Sequence, residues 1–180
     1  MPDNEADYGD HEAEPDDTED ADELTTEALV WQLLLLVNPG DEETALRQFG
    51  HYQEAMADAD EDAEPVWVLK DAIDWSSGFF VDGNDLESFI DSVTELVRRW
   101  NLEIDWGGDP SDEDFLARTD VPALMSTAYD RLRERGYTLW TWDTGSDNQG
   151  GWITLIRDDE AMRLLAIALN IELHPGSDAF

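Results

Sequence analysis

The sequence predicts an α+β fold, in which a mixed sheet of about four strands packs with helices. Segments with the helical spacing of apolar residues alternate with short runs that have the two-residue period of strands. Hydrophobic residues make up 41% of the chain and include 8 tryptophans, enough for a sizeable core. Residues 1–27 hold 13 acidic and no basic residues, which predicts a disordered acidic tail before a single domain, 28–180.

Two helices are predicted at the start of the domain. The first covers about residues 22–37 and ends at Asn38-Pro39-Gly40. The second covers about residues 41–60. The apolar run 66–73 fits either a buried helix or a strand, and a helix is preferred.

A strand, a helix and a second strand are predicted next. Residues 78–82 fit a short strand, and the helix after them has one apolar face from Leu86 to Trp100. Residues 102–106 alternate between apolar and acidic side chains, as a half-buried strand does. Such a unit forms a right-handed parallel crossover, so these two strands are expected to run parallel.

The last third of the chain predicts a helix, a hairpin and a final helix. A helix covers about residues 121–135, and two strands, 137–143 and 152–157, follow it with a polar, glycine-containing loop between them. A helix is predicted over residues 158–169, and residues 171–173 are a candidate edge strand.

The charge excludes several classes of protein. With 45 acidic and 10 basic residues, the net charge of −35 repels phosphates, so neither direct nucleic-acid binding nor anionic-membrane binding is expected. The chain has no cysteine, which excludes disulfides and thiolate metal sites. Its acidic start is unlike a signal peptide, and the longest apolar run has ten residues where a span needs about 20. A cytoplasmic protein is expected.

Motifs for catalysis are missing from the sequence. It has no G-x-S-x-G, no phosphate-binding loop, and His51 is the only histidine well inside the predicted domain. Residues 58–64 imitate the start of an EF-hand loop, but Ala63 and Leu69 replace its glycine and its last glutamate. We therefore expect no enzyme activity, no cofactor and no metal.

A candidate partner-binding edge follows from the predicted topology. The carboxyl ends of parallel strands meet at one edge of a sheet, where ligands commonly bind. That edge would gather three tryptophans and nine carboxylates. The tryptophans are Trp75, Trp106 and Trp142. The carboxylates are Asp82, Asp85, Asp105, Asp109, Asp112, Glu113, Asp114, Asp143 and Asp147.

This edge has three interpretations. Carboxylates between tryptophans suit an arginine-rich or lysine-rich protein, through ion pairs and cation–π contacts. Carboxylates also suit Mg²⁺ or Ca²⁺. Alternatively, the aspartates are turn and N-cap residues and the tryptophans belong to the core.

A second acidic face is predicted at the end of the second helix, from Glu54, Asp58 and Glu61. Negative charges there oppose the helix dipole. Either the helix ends earlier, or these charges serve recognition.

The preferred function is a non-enzymatic inhibitor or immunity-type partner of a basic protein, such as a toxin, a nuclease or a DNA-binding protein. The alternative is a DNA mimic that occupies the site of a nucleic-acid-binding protein, and a further alternative is a carboxylate metal-dependent enzyme. Acidic adaptation to high salt also fits the composition. A monomer or weak dimer is expected.

Four segments carry a resemblance to a known family: WVLKDAIDWSSGFFVDGND, WNLEIDWGGDP, GYTLWTWDT and GGWITLIRDDEAM. Together they resemble an uncharacterised family of acidic bacterial proteins, found in Xanthomonas-type bacteria, that carries only a domain-of-unknown-function label. The resemblance covers most of residues 28–180. It implies a bacterial cytoplasmic protein and weakens the interpretation as salt adaptation, but it implies no activity, cofactor or catalytic residue.

Overall fold

A computed structural model describes residues 17–73 and 77–178, with side chains from residue 26 onward. These residues form seven α-helices and one four-stranded sheet, which confirms the α+β class. The helices are α1 (Asp17–Val37), α2 (Glu42–Asp58), α3 (Pro65–Ala72), α4 (Leu86–Arg98), α5 (Glu113–Ala117), α6 (Val121–Glu134) and α7 (Asp159–Ala168). The strands are β1 (Gly78–Asp82), β2 (Tyr137–Trp142), β3 (Asn148–Leu155) and β4 (Leu173–Pro175).

The sheet is antiparallel throughout, in the order β1-β3-β2-β4. Strands β2 and β3 form the predicted hairpin, in which Trp140 lies opposite Trp152. Strand β1 pairs with the other side of β3, so that Asp82 lies opposite Asn148. The prediction of a mixed sheet with a parallel crossover is therefore wrong.

The error arises from residues 102–106, which form no strand. Their alternation is real, because Leu102 and Ile104 are half-buried against the core while Glu103 is exposed. Alternation reports burial of one side of an extended chain, and it does not show that the backbone pairs with a sheet. Here the extended segment packs on helices α4 and α6 and completes one core without joining the sheet.

Two hydrophobic cores lie on opposite faces of the sheet. Successive side chains of a strand point to opposite faces. Leu139 and Ile153 pack with α4 and α6, whereas Trp140 and Trp152 pack with α1, α3 and α7. Because both faces are covered, β2 and β3 are apolar along most of their length.

Helix α1 begins at Asp17, so the predicted boundary of the acidic tail at residue 27 falls inside a helix. Residues 1–16 of the predicted tail lie outside the described residues. None of the helices in the described part of the chain combines the length and apolar character that a membrane span requires.

The remaining element boundaries follow local signals closely. Helix α3 confirms the preferred interpretation of the apolar run, and Gly136 follows α6 with a φ of 94°, a conformation that glycine adopts without strain. Strand β3 begins four residues before its predicted start of 152. The pair Gly150–Gly151 predicts a loop, but both glycines lie inside β3. The groups packed around them, mainly aromatic rings, leave no room for a side chain.

Candidate functional site at the acidic end of the sheet

The loop after β1 lies directly against the hairpin loop between β2 and β3. The Gly83 N–H donates a hydrogen bond of 2.9 Å to the main-chain oxygen of Asp147. A Cβ on Gly83 would lie only 2.1 Å from that oxygen, so glycine is required for this approach. The contact brings the end of β1 and the hairpin loop 143–147 together at one end of the sheet.

Helix α5 joins the same end of the molecule. A surface groove is lined by the loop after β1, by the first turn of α4 and by Leu116 of α5. Phe115 of α5 packs beside Gly108, where a Cβ would lie 2.3 Å from its ring. Helix α5 is thereby held against the core, with Leu116 beside the start of α4.

We define the acidic end by the carboxylates that these three segments bring together. They are Asp82, Asp85, Glu87, Asp109, Asp112, Glu113, Asp114, Asp143 and Asp147, and all are exposed. Within the described residues, none of them forms an ion pair. The arginine nearest in sequence, Arg118, donates to the main-chain oxygen of Asp114 at 3.0 Å.

Five of these carboxylates also hold local turns or helix starts. Asp85 caps α4 by accepting from the Ser88 N–H at 3.0 Å, and Asp143 accepts from the Gly145 N–H at 2.8 Å. The side chains of Asp82, Asp109 and Asp112 accept in the same way. These bonds agree with the alternative interpretation of the aspartates as turn and N-cap residues.

Hydrogen bonds keep two of these groups ionised well below neutral pH. The Ser88 hydroxyl, with the Ser88 N–H, lowers the pKa of Asp85 below its usual value, and Ser111 does the same for Asp109. A carboxylate that accepts a turn hydrogen bond is also held in one orientation. The acidic end therefore combines oriented carboxylates with four that have no side-chain hydrogen bond in the described structure: Glu87, Glu113, Asp114 and Asp147.

The predicted tryptophan anchors are part of the core. Trp106 is 6% exposed and its ring lies 6.0 Å from that of Phe89; Trp142 is 3% exposed and lies 5.2 Å from Trp67. Both rings are packed into the cores, so they are not the exposed anchors for a partner protein that were predicted. Trp75, the third predicted anchor, lies outside the described residues.

Asp105 is separate from the acidic end, in contrast to the prediction. It lies in the extended segment that packs on α4 and α6, in a surface groove that Arg131 and Arg135 also line. The Arg131 Nε donates to the main-chain oxygen of Asp105 at 3.3 Å. Asp105 thus shares a groove with two arginines, and the strand that was predicted to place it at the edge is absent.

The second acidic face is smaller than predicted. Helix α2 ends at Asp58, so Glu54 and Asp58 share one exposed helix face while Glu61 lies beyond the helix. The helix ends two residues earlier than predicted, which removes Glu61 from this face, while Glu54 and Asp58 remain near the helix C-terminus. Glu54 and Asp58 are free of side-chain hydrogen bonds within the described structure.

The described side chains contain no group of three or more Asp, Glu or His residues arranged to hold a metal ion. In the acidic end, five aspartates use an oxygen to hold their own turns. Their side chains are directed by local backbone, and they do not converge on one point.

Sequence reasoning missed Glu87, which lines the groove beside Asp82 and Asp85. A signal was present, because Glu87 follows the cap residue of α4 and so lies in the first turn of a helix that begins at this end. To predict that Glu87 belongs to this site, one must know that the first turn of α4 lies beside α5, and the periodicity of the sequence does not show this.

These features define an acidic α+β protein with two cores and a carboxylate-rich end. Comparison with known families identifies the family: residues 29–176 match the Domain of unknown function (DUF6630). The chain belongs to this family, as its sequence resemblance implies. Searches of the curated proteins and of the solved structures found no match.

Proposed function

We propose that this chain is a non-enzymatic binding protein whose acidic end recognises a cationic surface on another protein, as an inhibitor or immunity-type partner does. The observation that carries this proposal is the meeting of three separate segments at one end of the sheet. They place nine exposed carboxylates together without an ion pair among the described residues.

The positions of four arginines support this proposal, although Arg118, which donates to the main-chain oxygen of Asp114, lies at the acidic end itself. Arg98 lies at the end of α4, a helix that starts at the acidic end and extends about 20 Å away from it. Arg131, Arg133 and Arg135 lie at the end of α6, immediately before β2 begins. Since Asp143 follows the other end of β2, these cations are also about 20 Å from the hairpin loop. At physiological salt, charges this far apart are largely screened from one another.

The rigid orientation of the carboxylates also supports recognition. Asp85, Asp109 and Asp143 are held by hydrogen bonds within their own turns. Binding a cation therefore costs them little conformational entropy, which is the usual advantage of a preorganised site. A concentrated negative surface also accelerates encounter with a basic partner.

The test compares two variants with the same change in net charge. The first neutralises the four carboxylates without turn bonds: Glu87→Gln, Glu113→Gln, Asp114→Asn and Asp147→Asn. The matched control neutralises four exposed carboxylates around the end of α2: Glu54→Gln, Asp58→Asn, Asp60→Asn and Glu61→Gln. Wild type is first used to capture its partner from a lysate of the organism that encodes it, with low-salt and high-salt washes.

We expect one basic protein to remain bound at high salt. The acidic-end variant should lose at least about tenfold in affinity for it, while the control retains the wild-type affinity. Equal losses in both variants would show that binding depends on overall charge and would refute a role for the acidic end.

DNA mimicry is the outcome that would replace this proposal. A mimic binds several unrelated DNA-binding proteins, competes with duplex DNA for each, and loses them together as salt rises. A carboxylate metal enzyme would instead gain thermal stability from Mg²⁺ or Ca²⁺ beyond the effect of monovalent salt at the same ionic strength.

A further inference from the structure

An aromatic cleft lies between α3 and the edge strand β1, at the margin of the core that contains Trp142 and Trp152. It has a volume of about 290 Å³, at the lower end of the range for small-molecule sites. Phe80, Trp142 and Trp152 supply its aromatic walls, and Lys70 and Asp71 supply its charged groups. The proposal for the acidic end uses none of these side chains.

The aromatic walls come together at a glycine of β3, which has no side chain to keep them apart. A Cβ on Gly150 would lie 2.9 Å from the Trp142 ring and 3.1 Å from the Phe80 ring, so both rings pack directly over the backbone at this glycine. Trp67 packs edge-on against both, with centroids 5.2 Å from Trp142 and 6.0 Å from Phe80. The walls are therefore fixed by packing on three elements.

One wall carries a buried hydrogen-bond donor that has no acceptor. Trp152 is 2% exposed, and its Nε1–H has no hydrogen-bond partner among the described residues. Trp140, directly opposite on β2, donates its own Nε1–H to the Thr154 hydroxyl at 2.8 Å. An unsatisfied buried donor lowers stability, and an acceptor on a ligand in the cleft that Trp152 lines would satisfy it.

Lys70 provides a positive charge at the same cleft. It is the only lysine of the chain, and its side chain is 29% exposed. Its Nζ lies 4.6 Å from the centroid of Phe80 and 3.2 Å from the carboxylate of Asp71, which is itself 74% exposed. An ammonium group has three donors, so the pair with Asp71 leaves others for a ligand.

We propose that the aromatic cleft binds a small apolar molecule that carries one carboxylate. Its flat hydrocarbon body packs against Phe80 and Trp142, and its carboxylate accepts hydrogen bonds from Trp152 Nε1 and Lys70 Nζ. The volume limits the body to about one or two rings. Since the anionic ligand is paired with Lys70, it is bound despite the net negative charge of the chain.

The test follows the indole N–H signals of the full chain by nuclear magnetic resonance, with phenylacetate and its neutral counterpart phenylacetamide as probes. We expect phenylacetate to move the Trp152 N–H signal downfield in a saturable way and to leave the Trp140 signal in place. Phenylacetamide should bind at least about tenfold more weakly, because it lacks the charge that pairs with Lys70. Sequential backbone assignment identifies Trp152 independently of any variant.

Two variants separate the donors. Lys70→Met retains most of the aliphatic stem and should weaken phenylacetate about tenfold while leaving phenylacetamide unchanged. Trp152→Phe removes the donor and leaves a smaller ring in the core, so it should fold with some loss of stability and bind phenylacetate more weakly. The proposal fails if phenylacetate leaves the Trp152 signal unmoved at millimolar concentration, if acid and amide bind equally, or if Lys70→Met has no effect.

Discussion

Three buried polar side chains join the N-terminal helices to the residue before β1. Asn38 Nδ2 donates to Gln48 Oε1 at 2.8 Å, Gln48 Nε2 donates to Ser77 Oγ at 2.8 Å, and Ser77 donates to the Asn38 side-chain oxygen. All three residues are at most 2% exposed. Each depends on the others for satisfaction, because water does not reach them.

Replacing one member of this ring is expected to cost more than its own hydrogen bonds. Gln48→Leu removes one acceptor of the Asn38 amide and the donor to the Ser77 hydroxyl, while Asn38 still donates to Leu34 O and Ser77 still donates to Asn38, so it should lower the free energy of unfolding by about 1–3 kcal/mol. Gln53→Leu, an exposed change on the same helix, is the matched control and should stay within about 0.5 kcal/mol of wild type. Urea denaturation measures both, and similar losses for the two variants would contradict this role for the ring.

Arg99 lies next to Asn38 and joins the ends of two helices. Its guanidinium donates to Leu96 O at 3.0 Å and to Val37 O at 3.2 Å, the carbonyls near the ends of α4 and α1. Burial lowers its pKa to about 10, so it remains charged at neutral pH. A positive charge at two helix C-termini is favoured by both helix dipoles.

At the scale of elements, the hairpin β2–β3 organises both cores. Its alternating residues put tryptophans on one face and aliphatic side chains on the other. Glycines at 150 and 151 allow aromatic side chains of β1 and β2 to approach the backbone of β3. Strand β3 has no side chain at these two positions, and it therefore leaves room for the large rings of its neighbours β1 and β2.

Two glycine substitutions are expected to have opposite effects. A Cβ at Gly151 would lie 1.9 Å from the Trp140 main-chain oxygen, so Gly151→Ala should lower the free energy of unfolding by more than about 3 kcal/mol or prevent folding. A Cβ at Gly50, inside α2, meets nothing within 4 Å, so Gly50→Ala should raise it by about 0.5–1 kcal/mol. Thermal and urea unfolding measure both changes. A Gly151→Ala protein as stable as wild type would show that β3 does not pack as described.

At the scale of the whole molecule, charge is separated along the sheet. Carboxylates concentrate where β1 and β2 end, and arginines concentrate where α4 and α6 end. The net charge of −35 nevertheless means that repulsion acts across the entire surface. Screening this repulsion should therefore stabilise the folded state.

The melting temperature is expected to rise with monovalent salt. Between about 0.05 and 0.5 M NaCl, where the Debye length falls well below 10 Å, we expect an increase of at least about 5 °C. Choline chloride at the same ionic strength is the control, since it screens without the specific binding of a small cation. A rise in NaCl alone would indicate bound Na⁺, and no rise in either salt would show that repulsion does not limit stability.

The candidate site shows how far sequence reasoning extends. Asp82, Asp143 and Asp147 meet as predicted, although for a different reason: β1 and β2 both pair antiparallel with β3 and so point the same way. Asp105 does not join them, because residues 102–106 have the pattern of a strand without its hydrogen bonds. Trp106 and Trp142 are core residues. The prediction missed this because the sequence pattern does not show which neighbours cover an aromatic side chain.

The sequence by itself determined the acidity of the chain and its likeness to an uncharacterised family. Its local patterns also determined the helices and most of the strand positions. Periodicity, glycines and prolines act over a few residues, and they are visible in the chain. Strand order, the burial of the tryptophans and the unpartnered Trp152 donor were decided only by the tertiary structure. They depend on contacts between residues far apart in sequence, such as Gly83 with Asp147 and Gln48 with Ser77. Which distant surfaces pack together depends on shape and on satisfying every buried polar group at once, and no local pattern contains that information.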